Sequence, residues 1–169
     1  MINHKLNISL RNYSAGLCIF MSYNYCTMSK ESTKGNGTKE SPWALKTPPG
    51  TSEYTMYRDE TLDPPALVCT VGTTVLRYDL RCIEDLHQML KAHGDWMLLG
   101  SADEQKPATE GTVEAWGRSA DNPVGGWYGL KKGLRGRFGM YVPGVLEVLG
   151  LAEVEHNVKK TIGCGRFKN

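Results

Sequence analysis

Four cations stand close together at Lys131, Lys132, Arg135 and Arg137, and residues 123–139 hold no Asp or Glu at all. Lys and Arg in such a run are the residue types that neutralise phosphates and release counterions from a polyanion. Trp127 and Tyr128 lie just ahead of them and supply rings of the kind that stack on bases. Glycines interleave the cations at Gly129, Gly133 and Gly136. Placed on a helix, Leu130, Leu134 and Phe138 are spaced by four and the glycines form an adjacent bare stripe. Each interior glycine costs a helix about 0.8–1 kcal/mol relative to Ala, so three cost about 3 kcal/mol. The segment is therefore either not helical, or it uses the bare positions to admit another backbone. That backbone is a neighbouring element of the same fold or a sugar-phosphate chain. Tight packing beside a solvated basic face is the plainer alternative, and an anionic small molecule or a protein partner fits the same residues.

The total charge of the 169 residues is only +2, but it is unevenly spread. Residues 51–122 carry six cations against thirteen anions, a net of −7, immediately before the basic segment. Residues 1–50 carry six cations against two anions. The basic segment is thus a local field on an acidic body, and the overall charge says little about partners.

Catalytic constellations are sparse. His93 with Asp95, and His87 with Glu84 and Asp85, are the nearest approach to acid–base or metal chemistry, but no third convergent ligand and no HExxH or paired-Cys spacing accompanies them. No phosphate-cradling GxGxxG or GxxxxGK[ST] occurs. Five cysteines, an odd count without CxxC, point to reduced thiols in a cytosolic protein. No catalytic residue and no cofactor is predicted, and a small enzyme of unknown type stands third among the functional readings.

Several elements must position the cations. Leu67–Val71 and Thr74–Tyr78 read as paired strands around Gly72-Thr73. Asp79 is a fair cap for a helix over about Arg81–Ala92, with Ile83, Leu86, Met89 and Leu90 on one face and Gly94 as its stop. Trp96–Leu99 reads as a strand or buried turn, and Gly100–Pro107 as a polar acidic loop. Thr109 or Thr112 caps a short helix through Val113 and Trp116, ended by Gly117. Val145–Leu149 reads as helix with Pro143 near its first turn, and Leu151–His156 as a half-exposed strand. The composition suits a small single α+β domain, helices packed on a short antiparallel sheet, over residues 42–157. The order helix, short helix, basic segment, helix, strand also matches a winged helix, although Ser119–Gly126 is long for its turn.

Flanking segments differ in character. Residues 1–27 contain no acid and read as an N-terminal extension, with Met28 the expected start. Residues 28–41 read as a disordered tail. Residues 158–169 are basic and read as either a loose tail or the return strand of a hairpin. No stretch approaches the roughly 20 apolar residues of a spanning helix, so no membrane contact is expected.

Two resemblances add to this reading. Arg135-Gly136-Arg137, followed by Tyr141-Val142-Pro143, resembles the minor-groove hook of actinobacterial nucleoid-associated proteins, which implies DNA contact through Arg135 and Arg137. The phrases Leu45-Lys46-Thr47-Pro48-Pro49-Gly50, His93-Gly94-Asp95-Trp96, Thr112–Arg118 and Asn122–Gly129 resemble a small family of uncharacterised bacterial proteins, over about residues 43–157. Together they favour a non-enzymatic cytoplasmic binding protein that contacts DNA through Lys131, Lys132, Arg135, Arg137, Trp127 and Tyr128. A protein partner or a homodimer through the Trp127–Tyr141 surface is the alternative.

Overall fold

The computed structural model describes residues 35–156 and 164–167. The expectations for residues 1–34, and those for 157–163 and the last two residues, lie outside the described part.

Ten elements follow one another along the chain: β1 (Trp43–Lys46), β2 (Glu53–Asp59), β3 (Ala66–Val71), β4 (Thr74–Asp79), α1 (Cys82–His93), β5 (Met97–Leu98), α2 (Val113–Trp116), α3 (Phe138–Val148), β6 (Ala152–Val154) and β7 (Cys164–Phe167). The first four strands form an antiparallel meander in the order β1-β2-β3-β4. Alternation decides its inner face. Trp43 and Leu45, Tyr54 and Met56, Leu67 and Cys69, and Leu76 and Tyr78 are all buried and lie opposite one another through the registers Leu45↔Tyr54, Met56↔Cys69 and Cys69↔Leu76. Leu86 and Leu90 of α1 and Phe138, Tyr141, Val142, Val145 and Leu146 of α3 complete this core. Apolar burial of this extent is the main stabilising term of the domain. A second small sheet, β5-β7-β6, closes the fold.

The β3–β4 pair, α1 and its Gly94 stop stand where the sequence puts them; Gly94 adopts φ 76° and its N–H reaches Leu90 O. Asp79 accepts the Arg81 N–H at 3.1 Å, one residue ahead of the helix. Thr112 caps α2, its hydroxyl accepting from Ala115 N at 3.1 Å. Cys164–Phe167 take the strand alternative, pairing with β6.

Three readings change. The turn at residues 35–41 is tied to the sheet by Arg58 N donating to Gly37 O (2.9 Å), so order begins ahead of the expected Pro42. α3 begins at Phe138 rather than Val145, and Pro143 lies inside it. The N–H that Pro143 lacks would have bonded Gly139 in the first turn, a small loss beside burying eight residues of this helix. The burial also removes the winged-helix alternative, because α3 belongs to the core and offers no recognition face.

The basic loop and the acidic loop it holds

Residues 127–137 are loop, not helix. Tyr128–Leu130 runs along the edge of β4: Asp79 N donates to Tyr128 O (2.8 Å) and Leu130 N to Arg77 O (2.8 Å). Leu130 is 38% exposed, whereas Phe138 is buried, so the spacing by four does not describe a shared face. The glycines instead serve the chain's own backbone. A side chain at Gly129 would strike the main chain of Arg135, and a Cβ at Gly136 would lie 2.5 Å from Glu104 N. Gly133 faces open space but adopts φ +89°, a conformation side chains disfavour. Close approach by an element of the same fold, one of the two uses the sequence allows, is the one these contacts realise.

At Gly136 the approaching element is the acidic loop at residues 101–107. Arg135 meets Glu104 twice over, its guanidinium donating from Nε (2.9 Å) and Nη2 (2.6 Å) to Oε1 while its backbone N–H donates to Oε2 (2.9 Å). Arg137 donates from Nε to Asp103 Oδ1 at 2.5 Å, and its backbone N–H reaches Ala102 O at 3.0 Å. These hydrogen bonds hold both the Asp103 and Glu104 carboxyls below their usual range. Arg137 pays in backbone strain, with φ +61° at the cap of α3. The −7 region and the +4 segment are therefore complementary parts of one fold.

A third arginine anchors the same loop. Arg118 donates to Ala102 O (2.8 Å), Lys106 O (3.0 Å) and Asp103 O (3.4 Å), and also to the carboxylate of Glu114. Glu114 is fully buried and accepts the Gly139 N–H at 2.8 Å near the start of α3. Burial pushes the Glu114 carboxyl up, against the downward pull of Arg118 and Gly139. The guanidinium groups of Arg118 and Arg135 both lie over the Trp127 ring, 4.3 and 4.6 Å from its centroid.

The six residues predicted as a site thus divide. Lys131 and Lys132 are exposed and form no ion pair among the described residues. Arg135 and Arg137 are paired, the former more deeply: side-chain exposure is 27% for Arg135 and 46% for Arg137. Trp127 is half-buried under two guanidinium groups. Tyr128 is fully buried, its ring stacked against Trp116 and Phe138 and its hydroxyl donating to Asp85 (2.8 Å), so it supports the loop and presents no face to a base. Sequence reasoning missed Arg118 and Glu114, although their i, i+4 spacing was a usable signal.

The carboxylates of the other candidates have local partners. Glu84 accepts from Gln88 (2.6 Å), Asp85 pairs with Arg81 (2.7 Å), and Asp95 accepts the Trp96 N–H. Among the described residues no group of His, Cys, Asp and Glu is arranged to hold a metal ion, and no helix is long and apolar enough to cross a membrane.

Fold and loop define a small α+β domain with a basic segment clamped onto its own acidic loop. The chain belongs to the family of unknown function DUF6855, which matches residues 35–162. Neither curated proteins nor solved structures show a match to it.

Proposed function

We propose that the chain is a non-enzymatic binding protein of the bacterial cytoplasm that contacts nucleic acid, duplex DNA foremost, through the tip of the basic loop. The supporting observation is the pair Lys131 and Lys132, exposed and in no ion pair among the described residues, on a loop braced from behind by Arg118, Trp127 and Arg135. A braced loop loses little conformational entropy on binding. The two buried thiols, Cys69 and Cys82, agree with a reducing compartment. In this reading Lys131 and Lys132 neutralise phosphates, while Arg135 and Arg137 join only by leaving their carboxylates.

Fluorescence anisotropy with a labelled DNA duplex, titrated with salt, tests it. Two phosphate contacts give a log–log slope of about −1.8, from about −0.9 per phosphate. Lys131→Ala with Lys132→Ala should abolish the salt-dependent binding; duplex binding that persists unchanged in that variant would refute the reading.

One observation favours a protein contact instead. Leu130 and Val75 are exposed, at 38% and 39%, on adjoining segments beside the lysines. Under this reading Leu130→Asp disrupts an association, self-association included, that sedimentation detects in the unmodified chain, and leaves DNA binding untouched.

A further inference from the structure

A second site lies at the far edge of the meander, away from the basic loop. There an open cleft of about 740 Å³ is bounded by β1, the start of β2, the end of β3, and the side chains of Glu147 and His156. Leu45, Tyr54 and Gly144 contribute apolar surface, and the volume falls in the ordinary range for ligand sites.

The edge of β1 carries more than shape. Thr47 N donates to Ser52 O at 2.9 Å, which makes Thr47 and Ser52 a hydrogen-bonded pair of the ladder. Antiparallel pairs alternate, so Leu45↔Tyr54 is bonded toward β2 while Ala44 and Lys46 turn their N–H and C=O groups outward. Both residues line the cleft, and neither backbone amide has a partner outside the ladder among the described residues. A lysine commonly guards such an edge, but Lys46 is paired with Glu53 at 3.3 Å.

Charge selects the occupant. With its imidazole neutral, the cleft holds one cation, Lys46, against two carboxylates, Glu53 and Glu147. His156 already touches the second carboxylate, both Glu147 oxygens lying 2.9–3.0 Å from its Nε2, but a neutral ring adds no charge to offset it. Its Nδ1 lies 3.2 Å from Pro48 O and its Nε2 2.9 Å from Glu147, both acceptors, and a neutral ring has one N–H to give.

We propose that this cleft takes an extended peptide, which adds a strand to β1 through the outward groups of Ala44 and Lys46 and sets a basic side chain against Glu147. Main-chain hydrogen bonds supply affinity and the carboxylates supply selectivity. The site is independent of the basic loop.

The test uses the full chain at a pH of about 8, above the ordinary imidazole range, with two fluorescein-labelled peptides, acetyl-Val-Lys-Val-Thr-Val-amide and its Glu-for-Lys counterpart. The lysine peptide should bind at least about tenfold more tightly than the glutamate peptide. Ala44→Pro removes an outward N–H that the ladder does not use, and should weaken the lysine peptide about tenfold or more. Glu147→Gln should weaken it about threefold to tenfold. Amide resonances of Ala44 and Lys46 in the unmodified chain should shift on adding the lysine peptide, which decides the matter should Ala44→Pro fail to fold. Lys131→Ala with Lys132→Ala should leave peptide affinity unchanged, separating this site from the DNA reading. The proposal is overturned if neither peptide binds below about 1 mM, if the two bind equally, if folded Ala44→Pro binds as well as the parent, or if the shifts fall elsewhere.

Discussion

Replacing Asp103 by Asn and Glu104 by Gln removes both charges that hold Arg135 and Arg137 while changing almost no volume. Of the basic loop's four cations, Lys131 and Lys132 are the two without an ion pair among the described residues, so under the DNA reading duplex binding should have a salt slope of about −1.8 and weaken about twelvefold between 50 and 200 mM salt. Freeing both arginines raises the available contacts from two to four. The slope then steepens to about −3.6, and the same salt step costs about 150-fold in affinity. Affinity at the lower salt should rise together with the slope, because the added contacts are attractive and no longer compete with internal acids. Anisotropy on parent and double variant, with circular dichroism to confirm folding, measures both quantities. An unchanged slope in a folded variant would refute the reasoning, since it would mean the arginines face away from the duplex even when unpaired.

The other predictions concern the clamp itself. Arg118→Met leaves the buried Glu114 with only backbone donors, and should cost about 3 kcal/mol by urea unfolding, the scale of breaking a buried ion pair. Gly136→Ala drives a methyl into the main chain at Asp103 and Glu104 and should cost about 1–3 kcal/mol, while Gly133→Ala, strained only in φ, should cost about 1–2 kcal/mol. The pH dependence has a definite sign. Asp103 and Glu104 titrate lower in the folded chain than in the unfolded one, so their stabilisation is present above the ordinary carboxyl range and is lost as pH falls below about 4. Glu114 is shifted the other way and regains stability on protonation. Acid unfolding of Asp103→Asn with Glu104→Gln should therefore be shallower than that of the parent.

The legible parts of this fold are those whose signals are local. β3 and β4 announce themselves by β-branched runs around a glycine turn, α1 by its apolar face, and α2 by Thr112. The strands β1 and β2 also alternate, with Trp43 and Leu45 and then Tyr54 and Met56 buried, but they are short and flanked by Ser, Thr, Pro and Gly, so the sequence reading names no strand there. The early start of α3 was obscured by Gly139 and Pro143. Gly139 is needed because a side chain there would strike the carbonyl of Leu99. As for the basic loop, its residue types and its need for close backbone approach were both visible. Its partners were not, because Arg135 and Glu104 lie 31 residues apart and Arg137 and Asp103 lie 34 apart. Pairings over such distances depend on the assembled fold, and spacing within either segment carries no trace of them.

Arg118 grips residues 102, 103 and 106 by their carbonyl oxygens, independently of any acidic side chain. The anchorage of that loop is consequently redundant. Withdrawing a carboxylate from Arg135 or Arg137 need not unseat the chain around it, and an incoming phosphate would trade places with one oxygen pair on an otherwise stationary scaffold. Such an exchange would be a side-chain event rather than a refolding.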